Sequence, residues 1–194
     1  MFGRFLKPRW QHSNPDMRLK AVEQLSPVDD EATLARLARG DSNSLVRAAA
    51  SGRITDFSLL DEIHQRDEEP SVREAASMRI MALLAGTVDG APNSETRLRL
   101  IRLTGNREAL GFIARNSPDE MCQQAAIERL DDDNLLFELA LESRTETLRL
   151  EAAQQLRSLS LLKRLSREGR DKRVTRLARE QAKALQEKIQ QEEA

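Results

Sequence analysis

One pattern of apolar and polar positions recurs along the chain. An apolar residue is often followed by Arg. A small residue comes four positions after the first, and usually an aliphatic one four beyond that. It reads Met17-Arg18, Ala21, Leu25; Val46-Arg47, Ala50, Ile54; and Val72-Arg73, Ala76, Ile80. A weak copy follows at Thr96-Arg97, Leu100, Thr104, then Cys122-Gln123, Ala126, Leu130; Leu148-Arg149, Ala152, Leu156; and Val174-Thr175, Ala178, Ala182. The starts fall 29, 26, 24, 26, 26 and 26 residues apart. Positions i, i+4 and i+8 share one face of a helix, so each copy marks a helix with one buried stripe. The small residue lets a neighbouring helix approach closely.

A shorter apolar group precedes most copies: Leu34, Leu37, Ala38; Leu59, Leu60, Ile63; Leu110, Ile113, Ala114; Leu135, Leu136, Leu139, Ala140; and Leu161, Leu162, Leu165. Each reads as a first helix that pairs with the second helix after it. Asn14-Pro15-Asp16 and Ser117-Pro118-Asp119-Glu120 both read as an N-cap followed by Pro at the first helical position. Ser117 and Glu120 also have the spacing of a capping box. A lone pair of amphipathic helices cannot bury its stripe, whereas a stack of pairs can. The expected fold is therefore all-α, an α-solenoid of about seven short helix pairs, irregular near 81–94. Gly86, Gly90 and Pro92 interrupt the pattern there, which predicts a bend or loop at 86–93 and a shortened or missing first helix in the fourth unit. Residues 1–13 form an N-terminal arm or cap, 14–185 the array, and 186–194 a helical extension that reads as cut rather than finished.

The Pro-Asp-x-Arg-x-x-Ala order of Pro15 to Ala21 resembles the second helix of HEAT-like repeats, especially their short variants. Ser71-Val72-Arg73-Glu74-Ala75-Ala76 resembles it equally. The likeness runs through roughly 14–185 and implies a binding scaffold. The opening Phe2-Gly3-Arg4-Phe5-Leu6-Lys7-Pro8-Arg9-Trp10 and the closing Asp171 to Glu180 resemble the N-terminal repeat region of large bacterial coiled-coil proteins of unknown function. That resemblance implies a fragment of a longer chain.

Composition fits helices: 32% charged, 39% hydrophobic, 3% aromatic and no Tyr. With a formal net charge of −1, no global field favours nucleic acid or membrane. Locally the charge separates. Residues 119–151 hold ten acidic and three basic side chains, and 157–183 hold ten basic and three acidic. The solitary Cys122 precludes an intrachain disulfide and reads as a buried thiol. Only His12 and His64 are present, without a metal-binding spacing, and neither a phosphate loop nor a nucleophile elbow occurs. The expectation is a non-catalytic protein without cofactor or metal. No apolar run reaches the roughly 18 residues of a membrane span and no secretory h-region opens the chain, so a cytoplasmic location is expected.

Two sets of residues are candidate binding sites. Arg18, Arg47, Arg73, Arg97 and Arg149 form a column at one slot of the repeat. It either braces adjacent units through acids such as Asp16, Asp41, Glu69 or Glu95, or offers a basic stripe to an acidic peptide or phosphate. Lys163, Arg164, Arg167, Arg170, Lys172, Arg173, Arg176 and Arg179 form a basic patch suited to salt-sensitive nucleic-acid binding, though without an aromatic residue for base stacking. Phe2, Phe5 and Trp10 in the arm read as a cover for the first unit. A protein partner on the inner helical face is the leading expectation. Nucleic acid, or self-association through the C-terminal helix, are the alternatives.

Overall fold

The computed structural model describes residues 8–192. Every regular element among them is helical: a 3-10 turn at Arg9–Gln11 and twelve α-helices. These are α1 (Pro15–Gln24), α2 (Glu31–Gly40), α3 (Ser44–Ser51), α4 (Phe57–Arg66), α5 (Pro70–Ala85), α6 (Ser94–Leu103), α7 (Arg107–Asn116), α8 (Glu120–Ile127), α9 (Asp133–Glu142), α10 (Glu146–Gln155), α11 (Leu159–Glu168) and α12 (Lys172–Glu192). None is long and apolar enough to cross a membrane. Phe2 and Phe5 of the expected cap lie outside the described residues.

Seven of these helices carry the recurring pattern, and each begins two residues before its start: α1, α3, α5, α6, α8, α10 and α12. The cap explains the register. Asn14, Asn43, Asn93, Asp119 and Thr145, each three residues before a pattern start, accept backbone N–H bonds through their side chains. Asp171 does the same for Arg173 and Val174. An oxygen there satisfies N–H groups that the first turn leaves without partners. This register corrects the capping-box reading. Ser117 ends α7, fully buried, and its hydroxyl donates to the Ala85 carbonyl. Asp119 is the cap instead. Pro118 holds Ser117 extended, so the helix starts after it rather than at it.

Among the described residues five first helices are present, at the five apolar groups the sequence shows, so five of the seven expected pairs are complete: α2, α4, α7, α9 and α11 precede α3, α5, α8, α10 and α12. Among the described residues, a 3-10 turn and no α-helix precedes α1. Between α5 and α6 no helix forms at 86–93, and α5 itself continues to Ala85, beyond the point where the irregularity was expected to begin.

The chain divides into two compact units. The first runs to Leu83 and takes back Val88–Ala91; the second holds Leu84–Thr87 and everything from Pro92. In the first, α1 and α2 pack on α3, and α2 on α4. Leu34, Val46, Ile54, Leu60, Val72 and Leu83 lie at the centre of one apolar cluster. Trp10, Val88 and Ala91 pack against it, and Arg36 lies 3.9 Å over the Trp10 ring. The loop after α5 thus returns its apolar residues to the first core. Arg79 fastens it, donating to the carbonyls of Ile54 and Arg53 on one side and Asp89 on the other. Gly90, at φ +79°, permits the close approach to Thr55.

In the second unit α6, α8, α10 and α12 pack in succession. Pairs α7–α8, α9–α10 and α11–α12 supply the other layer. The central small residues Ala50, Ala76, Ala126, Ala152 and Ala178 are fully buried, as close helix approach requires.

Candidate functional site

The Arg column is the most regular polar feature, and its geometry repeats. Arg18 forms a bidentate pair with Asp41, Nε and Nη2 each donating at 2.7 Å. Its Nη1 donates backwards to the carbonyls of His12 and Ser13. Arg47 pairs in the same way with Asp67, at 2.9 and 3.0 Å, and donates to the Asp41 carbonyl. Arg73 keeps the backward bonds, to Asp67 and Glu68, and makes no ion pair among the described residues. In the first unit the charges therefore alternate: Arg18, Asp41, Arg47, Asp67, Arg73.

The second unit uses a variant. Arg97 donates to Asp119 at 2.9 Å and Arg149 to Asp171 at 3.0 Å. Both carboxylates are also helix caps, one oxygen facing the helix start and the other the Arg. Arg149 reaches back to the carbonyls of Ser143 and Arg144. Arg97 instead lies against Gly86, whose φ of +75° and missing Cβ leave room for the guanidinium. Where Gln123 replaces Arg, its amide donates to the Ala114 carbonyl. Of the acids proposed from sequence, Asp41 belongs to the column. Asp16, Glu69 and Glu95 form no ion pair with it among the described residues, and Asp67, Asp119 and Asp171 take that place.

A guanidinium has five N–H donors. With three or four bonds each to carboxylate and carbonyl oxygens, Arg18, Arg47 and Arg149 have little left for an outside anion, whereas Arg73 and Arg97 each donate through a single guanidinium nitrogen. A bidentate charge-assisted pair is also among the stronger polar contacts.

The acids respond to this setting. Burial works to raise Asp41, but the Arg18 hydrogen bond, the Asn43 N–H and the Arg18 and Arg47 charges outweigh it and hold the carboxyl low. The Arg47 hydrogen bond lowers Asp67. The Ser94 hydroxyl, with help from the Cys122 N–H and Arg97, lowers Asp119. Arg149 lowers Asp171. A carboxyl whose folded pKa lies below its unfolded value stabilises the fold above the unfolded pKa, about 3.9 for Asp. That contribution disappears as pH falls through the folded value. The urea midpoint is therefore expected to hold between pH 7 and 5 and to drop below about pH 4, with a smaller drop in Asp67→Asn. Equal midpoints at pH 7 and pH 3 would refute this.

A second column escaped the sequence reading. Seven residues after a pattern start, Arg53 donates to the Leu25 carbonyl, Arg79 to Ile54, Arg129 to Thr104 and Gln181 to Gln154. Each bond reaches back to the end of the preceding second helix or to the residues just after it. The signal was the recurrence of long donors at that offset. Leu103 occupies the same slot in α6 and is 74% exposed.

The basic patch is mixed. Arg164, Arg173 and Arg176 pair with Glu168, Glu146 and Glu180. Arg164 also lies 4.7 Å over the Phe137 ring. Lys163, Arg167, Arg170, Lys172 and Arg179 have no carboxylate within ion-pair distance among the described residues. Cys122 is fully buried, and burial raises its thiol pKa, which disfavours the reactive thiolate. No group of three or more His, Cys, Asp or Glu among the described residues is disposed to hold a metal ion.

No protein-family model, curated protein or solved structure matches the chain significantly.

Proposed function

We propose that this chain is a non-catalytic scaffold of short HEAT-like helix pairs that binds another protein along its second helices. One observation carries the reading. Among the described residues, six large apolar side chains are more than a third exposed: Val28, Leu45, Met78, Leu103, Met121 and Ile189. Five of them lie on second helices and none on a first helix. Leu45 and Met121 occupy the same slot, one residue before a pattern start, so the repeat places exposed apolar side chains at equivalent points of different second helices, and Met adapts to varied partners. The repeated polar residues fit this reading, because they are engaged in joining one helix pair to the next.

Photo-crosslinking in cells tests it. A crosslinker at position 45, 78 or 121 is expected to trap a protein, and one at 62 or 138 on the first helices is not. Met78→Asp and Met121→Asp should weaken capture at least about tenfold, the equivalent of about 1.4 kcal/mol, without changing the thermal melt. Equal adducts from both layers would overturn the proposal.

A further inference from the structure

The last helix pair concentrates positive charge differently from the rest of the chain. Elsewhere several exposed Arg residues face carboxylates, as in Arg39–Glu62, Arg107–Asp131, Arg115–Glu138 and Arg157–Asp131. α11 and α12 carry such pairs too, Arg164–Glu168, Arg173–Glu146 and Arg176–Glu180 among them, but there the cations outnumber the acids. Lys172, Arg176, Arg179 and Lys183 stand at i, i+4, i+7 and i+11 of one helix, which places them in a straight stripe on one face. Lys163 and Ser166 of α11 lie across a cleft of about 400 Å³ from Arg179 and Lys183, and Gln186 and Gln190 continue its wall.

Apart from Glu187 and Ala182, the side chains lining this cleft can donate hydrogen bonds. Glu187 is 3.8 Å from Lys183 and Glu180 pairs with Arg176, both on exposed surface where such pairs exchange readily. Like charges held together repel one another, so a single-sign stripe favours a ligand of opposite sign. The lining also selects the kind of polyanion. A protein interface needs an apolar centre, and the only apolar side chain here is Ala182. A phosphodiester backbone needs only donors and positive charge.

We infer that the cleft between α11 and α12 binds the phosphate backbone of nucleic acid without reading its sequence. This is independent of the protein-binding face, since it uses other residues. With no aromatic side chain lining the cleft, base stacking contributes nothing.

Fluorescence anisotropy on the full chain with a labelled single-stranded dT 20-mer tests the inference. Four neutralised phosphates give a slope of log K against log salt of about −3, a loss of about 60-fold between 50 and 200 mM salt. A mixed-sequence 20-mer should bind within about twofold of dT. The triple variant Lys163→Gln, Arg179→Gln, Lys183→Gln is expected to lose at least about tenfold and to flatten the slope to about −1. Arg99→Gln with Arg102→Gln on α6 is expected to change neither. These side chains are on the surface, and an unchanged melting curve confirms the fold. Absence of binding at 50 mM salt, a salt-independent affinity, or retention in the triple variant would overturn the inference. So would polyglutamate competing as well as the oligonucleotide at equal charge, which would assign the cleft to an acidic protein. Crosslinking at positions 45, 78 and 121 is unaffected by any of these results.

Discussion

Arg47→Leu is expected to destabilise the first unit by about 3 kcal/mol, the low end for breaking a buried ion pair. Both side chains are about nine-tenths buried, at 9% and 10% exposure. The substitution removes two bonds to Asp67 and one to the Asp41 carbonyl. It leaves the Asp67 carboxylate enclosed, still accepting from the Glu69 N–H but without its counter-charge. That stranded carboxylate causes most of the loss. The double variant Arg47→Leu, Asp67→Leu should therefore recover much of it, because an apolar pair can replace a buried ionic one at little net cost. Arg73→Leu, which removes carbonyl contacts and no ion pair, should lose only about 1 kcal/mol. Urea unfolding followed by the Trp10 emission measures all three. If Arg47→Leu and Arg73→Leu cost the same, the alternating charges are not what joins these helices.

Gly86→Ala is expected to cost the second unit a similar amount, about 3 kcal/mol. Two effects combine. At φ +75° a Cβ brings backbone strain of roughly 1 kcal/mol. It would also lie 1.7 Å from Nη1 and 2.5 Å from Cζ of Arg97. Arg97 is buried, so its guanidinium cannot swing into solvent without leaving Asp119 and Ser94. Gly105→Ala, where nothing lies within 4 Å, is the control and should be nearly silent. In an Arg97→Met background the steric part of the Gly86→Ala effect should vanish, leaving the strain alone. Circular dichroism in urea on the four-variant cycle reads this coupling. Additive costs would mean that Gly86 does not make room for Arg97.

The second helices were legible because their signal is local. An apolar residue, a small residue four on and a cap three before all fall within one short stretch, and Ala at the centre means the same thing in six of the seven copies, the α6 copy having Leu100. The gap at 86–93 was legible for the same reason, through two Gly and a Pro. The partners of the Arg column were not. Arg47 and Asp67 are twenty residues apart, and nothing local to Arg47 distinguishes Asp67 from Glu69. Only the turn that carries Asp67 back over α3 makes the choice. Ser117 misled for a related reason. Its spacing to Glu120 matches a capping box, yet its hydroxyl bonds to Ala85, thirty-two residues earlier. Aligning the copies would have pointed to Asp119, which shares its offset with Asn14 and Asn43. Composition located the basic patch, but the division between paired and unpaired cations within it depends on which carboxylates the neighbouring helices present.

Asp119 and Asp171 each serve two neighbours with the two oxygens of one carboxylate. In the first unit those tasks are divided: Asn43 starts α3, while Asp41 receives Arg18. The difference sets how finely each unit can come apart. A junction that rests on Asp41 can open while the adjoining helix stays wound. One that rests on Asp119 or Asp171 gives up its grip and its helix start together, so the later repeats have fewer intermediate stopping points between closed and open.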